Sequence, residues 1–302
     1  MDDTAPTRRY PFATVDVFTE QRFGGNPLAV VTDARGLSDR EMQALAAEFN
    51  YSETTFVLPP DDPANTAKVR IFNRTYEMPF AGHPNVGTGY VLASQGKGAG
   101  DVMRFEELAG IVEVRTERDA AGSVVGATIA APQALSLGLE LPVADVAACI
   151  GLAAQDIVVR AHLPRVASVG VSFALVEVEP SALARATPSL DAFNRLLGRL
   201  PELEGRLSIH LYARDGEGRL RARMFAPPSG TVEDPATGSA NAALAAFLLS
   251  LGSAPSLTLD VVQGVEMGRP SLLLLTARRA ADGIRATVGG RCVPVFRGEA
   301  VV

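Results

Sequence analysis

The sequence predicts a two-lobed α/β protein, and three observations carry that prediction. Strand-like and helix-like segments follow one another in the same order in both halves of the chain. A motif of the form H/D-P-x-x-G stands ahead of an apolar helix-forming run in each half, at residues 83–87 and again at 234–238. With 302 residues, 47% of them hydrophobic and 21% charged, the chain can fill two cores of ordinary size.

In the first half, TVDVFTEQRFGGNPLAVVTD reads as a strand, a turn at Gly24 and Gly25, and a second strand from Leu28. LSDREMQALAAEFN predicts a helix: Ser38 and Glu41 have capping-box spacing, and Met42, Leu45, Ala46 and Phe49 fall on one face. TTFVLPP and AKVRIFN supply strands, and AGHPNVGTGYVLAS starts with turn residues and becomes an apolar helix. The GKGAG run at 96–100 follows as a loop, because it lacks the glycine spacing and preceding strand of a dinucleotide fingerprint.

The second half offers matching parts. ASVGVSFALVEV is strand-like, SLDAFNRLLGRL is helix-like, LSIHLYAR and LRARMFAPP are strands, and EDPATGSANAALAAFLL repeats the turn-to-helix junction. Gly170 precedes Phe173, Ala174 and Leu175 as Gly25 precedes Leu28, Ala29 and Val30. From that glycine to the proline-turn motif is 58 residues in the first half and 64 in the second. The expected division is an N-terminal lobe over 1–130 and a C-terminal lobe over 131–302, with the final strands free to pack back on the first lobe.

Composition removes several function classes. No apolar run reaches the roughly 18 to 20 residues that span a bilayer, and MDDTAPTRRYPF has no apolar signal core, so no membrane association and a cytoplasmic location are expected. A net charge of -6 without a Lys/Arg cluster gives no footprint for nucleic acid. His83, His162 and His210 lie in separate segments without metal-ligand spacing, so no metal site is expected. Cys149, in a helix-like segment, and Cys292, in a strand-like one, read as reduced packing residues. A small-molecule partner fits this chain best.

The repeated junction is where chemistry concentrates. The first turn of a helix leaves backbone N–H groups unpaired and carries partial positive charge, which stabilises carboxylates. Were the two lobes to face one another, these helix starts would converge on a cleft with His83 on one wall and Asp234 on the other. Taken singly, Asp234 before a proline reads as an ordinary N-cap and His83 as a turn residue; the repetition favours function. Glu53 stands between a predicted helix and a predicted strand, flanked by Ser52, Thr54 and Thr55. An isolated loop glutamate is ordinarily solvated, and these neighbours only modestly favour a held carboxylate.

FGGNPLAVV, YSETTFV, MPFAGHPNVGTGYVL, EDPATGSANAALAAFL and QGVEMGRPS, in this order and spacing, resemble the phenazine-biosynthesis PhzF-like family, from about Phe12 to the C-terminus. The resemblance implies the diaminopimelate epimerase fold: two pseudo-symmetric α/β lobes, each a curved, mainly antiparallel sheet around a central helix, with the active site between them. It places the acid/base carboxylate on Glu53 and the substrate-binding residues on Gly82, His83, Asp234, Gly238 and Ser239. It implies no metal or organic cofactor, a homodimer, and isomerisation of an amino- and hydroxyl-substituted cyclohexadiene carboxylic acid. Related epimerases use a thiol from each lobe, and here neither turn motif contains cysteine. Asn85 stands where some members carry Thr or Leu, which bears on the substrate accepted. Gly268, Arg269 and Pro270 read as a structural hairpin.

Moving a proton between carbons needs one group that is basic on abstraction and acidic on return, and a glutamate whose pKa burial raises from about 4.3 does both. On this expectation His83 and Asp234 hydrogen-bond the substrate, while helix starts at Gly87 and Ser239 receive its carboxylate. A lyase or racemase using Glu53 with His83 or Asp234, and a non-catalytic small-molecule binding protein, are the alternatives.

Overall fold

The computed structural model describes residues 7–302 except 99, 215 and 217. Residues 1–6 of the opening stretch and Ala99 of the glycine-rich run therefore lie outside the described residues. The chain is a mixed α/β protein, mostly strand with few helices, and divides into two compact units. One unit holds the chain up to Phe23, Pro27–Ile129 and Arg291–Val302; the other holds Gly24–Asn26 and Ala130–Gly290.

The first unit runs β1 (Arg9–Val17), β2 (Asn26–Val31), α1 (Asp39–Phe49), β3 (Glu53–Leu58), β4 (Ala67–Asn73), β5 (Glu77–Met78), α2 (Gly82–Ser94), β6 (Val102–Glu107), β7 (Gly110–Arg118) and β8 (Val124–Ala130). Strand β2 pairs parallel with β3, β3 antiparallel with β4, and β4 antiparallel with β5. Strand β4 also pairs parallel with β6, which leads antiparallel into β7 and then β8. Helix α1 starts with the capping box read from the sequence: Ser38 accepts from the Glu41 amide, and Glu41 accepts from the Ser38 amide. Met42 and Ala46 enter the core beside Phe56 and Phe72, with Leu45 and Phe49 at its edge.

The second unit opens with β9 (Ser136–Glu140), α3 (Val143–Cys149), β10 (Arg165–Ser168), β11 (Ser172–Glu177) and the single turn α4 (Pro180–Leu183). It continues with α5 (Leu190–Arg199), β12 (Ile209–Arg214), β13 (Arg219–Ala226), β14 (Thr231–Asp234), α6 (Gly238–Ser250), β15 (Ser256–Gln263), β16 (Ser271–Ala280) and β17 (Gly283–Val301). Its pairing from β11 onward repeats the first unit: β11 with β12 parallel, β12 with β13 and β13 with β14 antiparallel, β13 with β15 parallel, then β15, β16 and β17 antiparallel. The end of β17, from Cys292, pairs antiparallel with β1 in the first unit. Gly264 to Pro270 form the hairpin connection between β15 and β16. Cys149 in α3 and Cys292 in β17 are buried free thiols.

Helices α2 and α6 are apolar on every side, so neither has a face to turn to water. Helix α2 is nearly all buried, and strands reach it from several directions. A Cβ built on Gly87 would sit 2.6 Å from Leu28 of β2 and 2.8 Å from Val17 of β1; one on Gly89 would sit 2.5 Å from Val114 of β7. Glycine at these positions lets the strands close on the helix backbone. Helix α6 packs on β10, β11, β15 and β16. No helix of the described residues is long and apolar enough to cross a membrane.

One expectation is corrected. The H-P-x-x-G and D-P-x-x-G motifs do not place their glycines alike: Gly87 lies inside α2, which begins at Gly82, whereas Gly238 begins α6. The helices start on Gly82 and Gly238, so the two segments align as Glu77-Met78-Pro79-Phe80-Ala81-Gly82-His83-Pro84-Asn85 and Glu233-Asp234-Pro235-Ala236-Thr237-Gly238-Ser239-Ala240-Asn241. The frame shared by both is E-x-P-x-x-G-x-x-N. His83 corresponds to Ser239, and the place of Asp234 is held in the first unit by Met78.

Gly87→Ala is expected to destabilise the protein by about 1 to 3 kcal/mol through overpacking. Gly198→Ala, in the exposed part of α5 where a Cβ meets nothing within 4 Å, is expected to stabilise by roughly 0.5 to 1 kcal/mol. Urea denaturation of the two variants checks both signs.

Candidate active site

Glu53 opens β3 and His83 is the second residue of α2. The register of β3 along β4, with the Thr55 hydroxyl 2.8 Å from that of Thr88 in α2, fixes strand against helix. This brings His83 Nε2 to 3.5 Å from Glu53 Oε2, with the side chains 6% and 16% exposed. Burial drives the His83 pKa down to about 3, against a hydrogen bond to the Pro27 carbonyl that favours the charged ring. His83 is therefore neutral at neutral pH, and its contact with Glu53 is not an ion pair. Gly82, the first residue of α2, lies directly before it, with Ala81 as the extended N-cap.

In the second unit, Asp234 ends β14 and is held from both sides. Asn26 Nδ2 donates to Oδ1 at 2.9 Å and the Thr237 hydroxyl donates to Oδ2 at 2.6 Å. Asn26 also donates to the Ala236 carbonyl. Its own turn is anchored by Arg269, which donates to the carbonyls of Gly24 and Gly25. Gly238 and Ser239 are the first two residues of α6.

Gln263, fully buried, locks this loop. Its Nε2 donates to the Asp234 carbonyl at 2.8 Å and to the Thr237 hydroxyl at 3.1 Å, while Oε1 accepts from the Thr237 amide and from Asn241 Nδ2. Asn241 returns a bond to the Thr237 carbonyl, and its Oδ1 accepts from His210 Nε2 at 3.2 Å, the tautomer following from the amide's own donors. Burial depresses His210 to about 4, so it too is neutral.

Each unit carries a corresponding arginine–glutamate pair. Arg70 of β4 grips Glu77 through two bonds of 2.7 and 2.5 Å and stacks over Phe72; Arg223 of β13 grips Glu233 at 2.8 and 2.9 Å and stacks over Phe225. Bidentate pairs fix orientation as well as distance. Here they hold the turns that lead into α2 and α6. Arg70, Glu77, Arg223, Glu233, Asn26, Asn241 and Gln263 were given no role from the sequence, and Asn85 only a bearing on the substrate accepted. The E-x-P-x-x-G-x-x-N frame would have found four of them.

The thiols stand apart from this chemistry. Burial raises Cys149 to about 11 and moves Cys292 higher still, so neither forms a thiolate base at neutral pH.

Residues 15–298 match the family model of phenazine biosynthesis-like proteins, PhzC-PhzF. The chain belongs to this family. It is 38% identical over 303 residues to an uncharacterized isomerase of Mesorhizobium japonicum, covering 97% of this chain and 98% of that one. It is 34% identical over 294 residues to the trans-2,3-dihydro-3-hydroxyanthranilate isomerase of Pseudomonas aeruginosa, covering 96% and 98%. The crystal structure of the PhzF-family phenazine biosynthesis protein of Bacillus anthracis superposes with a TM-score of 0.87 at 25% identity, covering 98% of this chain and all of that one. The chain is an isomerase of this family.

Because His83 and His210 are neutral in the folded protein and would protonate near pH 6.5 when unfolded, they lower stability progressively as pH falls below about 6.5 toward 4 and then 3. Their imidazole nitrogens are expected to keep neutral-ring NMR shifts from about pH 8 to about pH 5. A His83 or His210 signal titrating near its ordinary value would contradict the burial described.

Proposed function

We propose that this isomerase works without a cofactor, shifting a proton between two carbons of a small carboxylated, amino-bearing substrate with Glu53 as its one acid/base group. The observation that carries this reading is Glu53 beside a neutral, buried His83. A ring that spends its single N–H on the Pro27 carbonyl turns a lone-pair nitrogen toward Glu53.

In the proposed cycle, the Glu53 carboxylate takes a proton from a ring carbon and the C–H electron pair delocalises into the conjugated system. The resulting carboxylic acid, whose O–H exchanges with solvent in a fraction of turnovers, gives a proton to a second carbon, so the double bonds move and no group leaves. Gly82, His83, Asp234, Gly238 and Ser239 are assigned to holding the substrate. Asp234, whose oxygens already accept from Asn26 and Thr237, suits an ammonium or hydroxyl donor; backbone N–H groups at the starts of α2 and α6 suit the substrate carboxylate. The raised thiol pKa values support a glutamate rather than a thiol as base. The relatives' named substrate makes trans-2,3-dihydro-3-hydroxyanthranilate the first compound to try. We assign the enzyme to the cytoplasm as a homodimer.

Incubation in D2O with that compound and a panel of cyclic amino acids should place deuterium on a carbon, read by NMR. Glu53→Gln should lower the rate by about 10² to 10⁴, with ligand affinity changed less than about tenfold. If the variant keeps more than about a tenth of the activity, the base lies elsewhere and Asp234 becomes the leading candidate. Light scattering should return twice the chain mass of 31.7 kDa; a single-chain mass across a wide concentration range would refute the dimer.

A further inference from the structure

Glu107 and Gln263 occupy the same place in the two copies of the topology. Met78 and Asp234, each four residues ahead of a helix-starting glycine, pair with Ile71 and Met224. Gln263, the last residue of β15, pairs with Ala222, two residues before Met224. Glu106 pairs with Lys68, so the next residue, Glu107, which ends β6, falls opposite Val69, two residues before Ile71.

The side chains around them correspond as well. Asn85 Nδ2 donates to the Ala81 carbonyl at 3.0 Å, as Asn241 Nδ2 donates to the Thr237 carbonyl at 2.9 Å. Asn241 also donates to Gln263, and Asn85 is the hydrogen-bonding neighbour of Glu107. Both Glu107 oxygens are shielded from solvent, with no donor at full hydrogen-bond geometry among the described residues. Gln263 needs its N–H because it donates to the main-chain carbonyl of Asp234. The counterpart of that carbonyl belongs to Met78, and a carboxylate facing it would set negative charge against an acceptor. A protonated carboxyl has the shape and the single donor that the position requires.

We propose that Glu107 is a protonated carboxylic acid that does for the first turn of α2 what Gln263 does for α6. Its carbonyl oxygen accepts from Asn85 and its O–H donates to the Met78 carbonyl. Glu107 is thus a positioning residue for Gly82 and His83. Its catalytic consequence rests on the reading that His83 holds the substrate.

Burial raises the carboxyl to about 8, with the Asn85 hydrogen bond opposing. Several charged groups on the elements around it are committed elsewhere. In β4, Lys68 binds Asp61, and Arg70 binds Glu77 of β5 and Asp39. Glu106 accepts from the amides of Asp61 and Asp62, and Glu113 and Arg115 of β7 face each other at the surface. In α2 the titratable groups are the neutral His83 and Tyr90, whose hydroxyl burial moves upward.

The test uses the full-length protein and the substitutions Glu107→Gln and Glu107→Leu. At neutral pH the wild type should show the infrared carbonyl band of a buried carboxylic acid, missing from Glu107→Gln. A carboxyl near 8 when folded and about 4.5 when unfolded stabilises fully below about 4.5 and loses that stabilisation as pH rises to about 8. The wild-type folding constant should therefore fall relative to Glu107→Gln by up to tenfold per pH unit across that window. A missing band, or equal pH dependence in the two proteins, overturns the proposal even if Glu107→Leu does not fold. With substrate, Glu107→Leu should lower kcat about tenfold or more, and Glu107→Gln should restore it while removing the loss of activity above about pH 8. If the band and stability results hold but the wild type turns over nothing, the proposed Glu53 proton shift fails and the role of Glu107 at the start of α2 stands.

Discussion

Each unit of this protein depends on the satisfaction of a buried helix start. The residue ahead of each enclosed helix is held through its main chain, since buried backbone groups need partners supplied by the chain. Gln263 and Asn241 bind the amide and carbonyl of Thr237 ahead of α6, and Asn85 binds the carbonyl of Ala81 ahead of α2. Because an unpaired buried group costs about 1 to 3 kcal/mol, these contacts restrict the loop ahead of the helix to one conformation. The residues assigned to holding the substrate lie on those loops and first turns, so their placement follows from the same requirement, while Glu53 opens β3 within reach of His83.

The electrostatics follow from burial as well. His83 and His210 lose their charge, both thiols hold their protons, and the buried Arg223 is neutralised by the bidentate pair it makes with Glu233. Arg223 shows how complete such satisfaction is: it binds Glu233 and donates to the carbonyls of Leu183 and Ala186. What remains to interact with a ligand is a small set of neutral donors and carboxylates. That set suits proton transfer between carbons better than nucleophilic chemistry, because the two thiols are protonated and removed from the loops.

Local features with a short-range cause were legible. The Ser38 and Glu41 cap, the face of α1 carrying Met42 and Ala46, and the strand Ala67–Asn73 each follow from spacing within one segment. The repeat was legible as order and misread as register. Proline and glycine drew attention to H/D-P-x-x-G, but Pro84 lies inside α2 and Pro235 ahead of α6, so the counterpart of Pro235 is Pro79 and not Pro84. Asn241, Glu107 and Gln263 look ordinary in the sequence, since the neighbours that give them a role are brought together by strand pairings that no local pattern reveals.

By itself the sequence determined the mixed α/β class, the duplicated order of elements, the apolar character of α2 and α6, and, through resemblance, the residues proposed for chemistry. Those are properties of periodicity, composition and motif. Only the tertiary structure decided that the helices begin at Gly82 and Gly238, that His83 lies uncharged beside Glu53, and that Gln263 and Glu107 stand at equivalent places. The reason is physical: charge state and hydrogen-bond partnership depend on what surrounds a group once water has been removed, and those surroundings are assembled from residues far apart in the chain.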